Sequence, residues 1–102
     1  MMKSFGDMMK QAQKVQKQMG ELQEKLADER FEASSGGGLV KAVVDGKQML
    51  RELKVDPKLL ADNDVTLIED LVLTAVGEAQ KSSQEKMAEA YAKLTGGFKL
   101  PF

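Results

Sequence analysis

The chain has 102 residues, 42% of them hydrophobic and 30% charged, which describes one domain near the size where a single core is adequate without being generous. With no cysteine, no histidine and a formal net charge of -1, it excludes disulfides, thiolate zinc sites, cysteine nucleophiles and a protein that coats nucleic acid by bulk positive charge. The opening MMKSFGDMMK contains no apolar run of signal-peptide length and no stretch is long and apolar enough to span a bilayer, so the chain reads as cytoplasmic.

Phe5, Met8, Ala12, Val15, Met19, Leu22 and Leu26 alternate steps of three and four, which predicts a helix over about residues 5–28 with an apolar seam for another helix. Ser4 followed by Asp7 resembles a capping box that starts it. At about 100° per residue, Lys10, Lys14 and Lys17 lie within about 60° of one another and nearly opposite the seam. Further along, the outward positions turn acidic at Glu21, Glu24 and Asp28. Gly20 falls on the solvent side, at a cost of about 1 kcal/mol against alanine.

From residue 30 to 56 the period changes to two. RFEASS puts Phe31 and Ala33 on one face, LVKAVVD puts Val40, Ala42 and Val44 on one face, and LKV adds Leu53 and Val55, predicting three short antiparallel strands. Asp45-Gly46 signals a hairpin with a type I′ turn. Leu50 is out of phase with Leu53 and Val55, which points to a bulge or a side chain left for another surface. SSGGGLVK fails as a phosphate cradle, because a strand follows the glycines where a phosphate loop opens a helix; it reads as a flexible strand connection.

Asp56 and Pro57 open a short helical turn. Asp62-Asn63-Asp64 lacks the later glycine and glutamate of a calcium loop and reads as capping, and Thr66 with Glu69 gives a second capping-box signature. Ile68, Leu71, Val72, Ala75, Val76 and Ala79 continue at helical spacing into Met87, Ala90, Tyr91 and Leu94, predicting a helix over about 65–95, stopped by Gly96-Gly97 and followed by a short tail to residue 102. Such a helix is about 45 Å long, whereas a compact domain of this size has a radius of gyration of about 13 Å. It must project with its stripe uncovered, so a second copy of the chain is expected, with Met8, Val15, Met19, Leu22, Val40, Leu71 and Met87 as candidate interface residues.

Chain direction puts residues 3–17 and 81–99 at the ends farthest from the strands, and both ends are basic. Lys3, Lys10, Lys14 and Lys17 stand against Asp7, Lys81, Lys86, Lys93 and Lys99 stand against Glu85 and Glu89, and residues 59–80 hold five acids and no base. This distribution suits contact with a polyanion through part of the surface. The charge pattern is equally that of a solvated helix face, and taken alone it leaves both readings open.

MMKQAQKVQKQM, SSGGGLVKAVVDGK, KVDPKLL, IEDLVLTAV, EKMA and GFKLPF, in that order along essentially the whole chain, resemble the YbaB/EbfC family of bacterial nucleoid-associated proteins. The resemblance implies a small α+β homodimer, with long helices projecting like tweezers from a central sheet, that binds double-stranded DNA in the nucleoid. It carries no residue-level code, so Lys3, Lys10, Lys14, Lys17, Lys81, Lys86 and Lys93 are candidates from charge placement. With thirteen lysines and two arginines, Arg30 and Arg51 in the strand region, contact with backbone phosphate and weak sequence preference is expected.

No serine or lysine has an activating partner in the sequence, so no enzyme, metal site or cofactor is expected. The alternative function is a homodimeric adaptor whose apolar or acidic surface binds a protein of DNA replication or recombination.

Overall fold

The computed structural model describes residues 4–94. Lys3, Lys99, the helix stop at Gly96-Gly97 and the tail 96–102 lie outside the described residues. A helix α1 (Phe5–Ala27) leads to strands β1 (Phe31–Ser35), β2 (Val40–Val44) and β3 (Leu50–Val55), a 3₁₀ turn over Pro57–Leu60 and a second helix α2 (Val65–Leu94). The strands form one antiparallel sheet in the order β1-β2-β3, so the expected α+β class and element order hold.

Local chemistry sets most boundaries. Ser4 Oγ accepts from the Asp7 amide at 3.2 Å, which satisfies one of the free donors at the start of α1. Asp56 caps the 3₁₀ turn through the Lys58 amide at 2.9 Å, with Pro57 at its first position. The cap of α2 differs from the expected box: Asp64 Oδ1 accepts from Leu67 N at 3.0 Å, so Thr66 already lies within the helix. An aspartate one residue before the helix fits the capping geometry without the reach that Thr66 would need.

The register brings Phe31, Ala33, Val40, Ala42, Val44, Leu53 and Val55 to one face, as the alternation predicts. Val43 opposes Glu52 and Val44 opposes Leu50, so Arg51 is the extra residue of a bulge and Leu50 returns to the inner face. Val40, Ala42, Val44, Leu59, Ala75 and Ala79 form the core. Ala75, Ala79 and Ser83, one turn apart on α2, are fully buried, and their small side chains let the helix lie close on the strands. Burying Val40 and Val44 stabilises the fold by about 1.5–3 kcal/mol each.

α2 packs on β1 and β2 and leaves β3 largely uncovered, so Leu50 and Leu53 stay 43% and 42% exposed on the inner face. Beyond the sheet α2 continues beside α1, and the chain extends 71 Å with a radius of gyration of 19.8 Å, well above the compact value of about 13 Å.

The glycine segment is a strand connection, as expected: all three glycines have positive φ, 60°, 68° and 95°, and form a left-handed turn with Gly36 beneath Leu71. The second loop corrects an expectation. At the β2–β3 hairpin, Gly46 has no positive φ, so the turn is not type I′. The loop has three residues: Gln48 N donates to Asp45 O at 3.2 Å, Asp45 N donates to Met49 O at 3.0 Å, and Gln48 takes the left-handed conformation at φ 71°. Glycine at 46 answers a different constraint. A Cβ there would lie 2.0 Å from the Leu26 carbonyl oxygen, so only glycine allows the end of α1 to sit on the hairpin.

Asp45 organises this loop from a side chain 1% exposed. Its Oδ1 accepts from Lys47 N at 2.8 Å and Met49 N at 3.1 Å, and its Oδ2 accepts from Arg51 Nε at 2.8 Å. Burial pushes the carboxyl up, but the Met49 and Lys47 amides and the Arg51 guanidinium outweigh it and hold the carboxyl below its ordinary 3.8. A lowered folded pKa contributes stability above the unfolded value and loses it as pH falls through the folded one. Thermal melts of the wild type are therefore expected to drop below about pH 4, and Asp45→Asn should melt lower at neutral pH with a flatter acid dependence, which melting curves from pH 2 to 7 would check.

Candidate nucleic-acid interface

The apolar seam of α1 orients its lysines. Val15, Gln18, Met19 and Leu22 are half-buried and Leu26 is buried, which marks the face α1 turns toward α2, and on α2 the matching half-buried residues are Met87, Ala90, Tyr91 and Leu94. Lys10, Lys14 and Lys17 are all exposed and point about 130° away from that face. Asp7, Lys10, Gln11 and Lys14 line a shallow depression on this outer side. Residues 4–14 are exposed throughout, including Phe5 at 78% and Met8 at 59%, and form the outer part of an arm.

The candidates on α2 do not form one surface with these. Lys81, Lys86 and Lys93 are exposed, but Lys81 lies about 120–140° around the helix from the other two. Lys93 also pairs with Glu89 at 3.3 Å, one turn earlier, an exposed pair that partly cancels its charge. The structure thus brings together Lys10, Lys14 and Lys17, sets Lys86 and Lys93 on a second stripe and separates Lys81. Lys25 continues the stripe on α1 but stands among Glu21, Glu24 and Asp28, so the positive surface ends near Lys17.

The outer face of the sheet is balanced by comparison. Glu32, Lys41, Val43, Glu52 and Lys54 line it, and Lys41 Nζ lies 3.2 Å from Glu32 Oε1. Neither arginine reads outward as a free fork: Arg51 bonds Asp45, and Arg30 Nη1 donates to the Asp28 carbonyl at 2.9 Å.

Among the proposed interface residues Val40 must be withdrawn, since it is 0% exposed within its own chain and has no surface to offer a second copy. Period-two alternation marked it as an inner-face residue but could not tell a strand covered by its own helix from one left open. Val15, Met19, Leu22 and Met87 lie in the seam between α1 and α2, Leu71 covers Gly36, and Met8 stands beyond the seam on the exposed arm.

This arrangement, two long helices flanking a small sheet with a basic arm, is matched by comparison with known proteins. Residues 2–98 match the model of the YbaB/EbfC DNA-binding family. The chain belongs to that family. It is 41% identical over 98 residues to a nucleoid-associated protein of Caldanaerobacter subterraneus, covering 96% of this chain and 88% of the relative. To a nucleoid-associated protein of Moorella thermoacetica it is 45% identical over 100 residues, covering 98% and 96%. A crystal structure of an uncharacterized Helicobacter pylori protein shares the fold with a TM-score of 0.82 over 92% of this chain and 99% of that one, at 22% identity.

Sequence reasoning read Asp45 only as a turn residue and passed over Gln48 and Ser83, which lie with it where the hairpin meets both helices. A polar Ser83 on the apolar side of a helix was the available signal for the tie to α2. For the charged surface, the paired and interleaved groups of the sheet predict a clear contrast with α1. Changing Lys41 and Lys54 to glutamine should leave duplex DNA affinity within about twofold at low salt, since these lysines are interleaved with Glu32 and Glu52; fluorescence anisotropy with a labelled duplex measures this.

Proposed function

We propose that this protein is a homodimer that binds double-stranded DNA through its backbone phosphates, with weak sequence preference, and so contributes to nucleoid organisation in the cytoplasm. The observation that carries the reading is the outward stripe of Lys10, Lys14 and Lys17 on an arm that projects beyond the sheet. Lysine is a hydrated point charge that pairs with phosphate wherever it meets it, whereas base readout favours the bidentate fork of arginine, and both arginines here are engaged within the chain. The names of the relatives support the nucleoid location. Lys3, Lys86 and Lys93 extend the proposed contact set, and Lys81 is its weakest member because it faces elsewhere.

The uncovered inner face of β3 supports the dimer. Gln80 Nε2 donates to the Gln48 carbonyl at 3.3 Å, which identifies the side of α2 that faces the β2–β3 hairpin, and Leu73, two turns earlier on that side, is 71% exposed. A second α2 laid beside the first over β3 covers Leu50 and Leu53, and its own sheet then closes on Leu73. Twofold symmetry satisfies both copies at once. Of the other interface candidates, Met8 is exposed on the arm, Val15, Met19, Leu22 and Met87 line the half-buried seam between the helices, and Leu71 packs over Gly36. A second reading, an adaptor for a protein of replication or recombination, draws on Leu60, Val65 and Leu67, which are 61%, 63% and 43% exposed beside Asp62, Asp64, Glu69 and Asp70. Capture of such a protein with no retardation of duplex DNA at low salt would favour it.

Changing Lys10, Lys14 and Lys17 to glutamine should leave the fold intact and weaken binding to every duplex alike, with the slope of log affinity against log salt smaller by about 3 units, at 0.9 per contact. An unchanged slope in the folded variant would leave the stripe a solvated face. For assembly, sedimentation at micromolar concentration should give a dimer for the wild type and a helical monomer for the Leu53→Asp, Leu73→Asp variant, whose side chains are exposed in the single chain. A wild-type monomer would refute the dimer.

A further inference from the structure

We infer that the β2–β3 hairpin loop is the joint that sets where the lysine arm stands, and that Gly46 and Ser83 are positioning residues for the DNA contact proposed above. The loop touches both helices at one point. Gly46 N donates to the Ala27 carbonyl at 3.3 Å, and its α-carbon side is filled by the Leu26 carbonyl, so the C-terminal end of α1 rests directly on the loop backbone. From the other side, Ser83 of α2 is 0% exposed; its Oγ donates to the Asp45 carbonyl at 2.9 Å and accepts from Gln48 Nε2 at 2.9 Å. Gln80 adds a bond to the Gln48 carbonyl. The loop itself is stiffened by the three bonds to the Asp45 carboxylate.

Leverage makes this contact matter for binding. Lys10 is sixteen residues from Leu26, about 24 Å along the helix, so a tilt of about 10° at the loop carries it about 4 Å. That is enough to take a lysine from contact with a phosphate to beyond it. The loop side of the joint explains two residue choices that local propensity does not. Gln48 occupies a left-handed position that glycine or asparagine would fill with less strain, and its side chain and carbonyl supply the ties to α2. Ser83 is a buried hydroxyl in a stripe otherwise made of Ala75 and Ala79, and it joins loop to helix where alanine would remove one of the two bonds to the Asp45 carbonyl and take the Gln48 side-chain amide's partner.

The chain has no cysteine, so a spin-label pair at Gln13→Cys and Ser34→Cys reports the arm against the sheet, with unlabelled protein in excess to isolate the distance within one chain. Gly46→Ala should shift the mean distance by about 3 Å, as a 10° tilt over thirteen helical residues requires. Ser83→Ala should broaden the distribution. In both variants the salt slope of duplex binding should fall by about 0.9 for each lysine carried off the duplex, although no lysine has been removed. Where Gly46→Ala fails to fold, Ser83→Ala carries the test. Unshifted and unbroadened distances in the folded variants overturn the joint, and shifted distances with an unchanged salt slope overturn its role in binding. A wild type without salt-dependent duplex binding defeats the DNA reading instead, and the distances then decide the joint alone.

Discussion

The contact between the Gly46 backbone and the Leu26 carbonyl is where the helical arm and the sheet become one molecule. α1 has little other hold on the strands, because its seam faces α2, and α2 in turn is tied to the same loop by Ser83 and Gln80. The hairpin can serve as this anchor because Asp45, buried and fully bonded, holds its backbone in a single conformation. A buried carboxylate is costly unless its lone pairs are satisfied, and two amides and a guanidinium satisfy these.

The core that this loop completes is small. Its fully buried helix residues are Ala75 and Ala79, with Ile68, Leu71, Val72 and Val76 packed around them, its strand side is valine and alanine, and α2 leaves β3 largely uncovered. The remainder of the apolar surface is left on β3 and on the β3 side of α2, while the halves of both helices beyond the sheet bury only one stripe against each other. The chain thus keeps 43% of Leu50, 42% of Leu53 and 71% of Leu73 in solvent, an apolar surface that its own elements do not cover.

Charge is distributed by the same architecture. Lysine and glutamate interleave on the outer sheet face, the acids collect around the start of α2, and Lys10, Lys14 and Lys17 stand together on the far half of α1, on the side its seam does not use. An almost neutral chain in this way concentrates positive charge on one part of its surface and negative charge on another. Membership of a DNA-binding family agrees with that arrangement.

The sequence by itself determined the elements, their order and the face each one buries. The half-buried seam from Val15 to Leu26, the alternation in the strands, the phase slip at Leu50 and the caps at Ser4 and Asp56 are local patterns that local stereochemistry enforces, whereas Phe5 and Met8 of the same seam stay exposed. The lysine stripe was legible for the same reason, since helical period alone places Lys10, Lys14 and Lys17 opposite the seam. Tertiary structure decided what periodicity cannot carry: that Val40 is covered and Leu53 is not, and that Gly46 is glycine because of a neighbour and not because of its own φ. Each of these depends on which element lies across which, and residues 20 to 40 positions apart in the chain, such as Leu26 with Gly46 or Asp45 with Ser83, meet only in the folded chain.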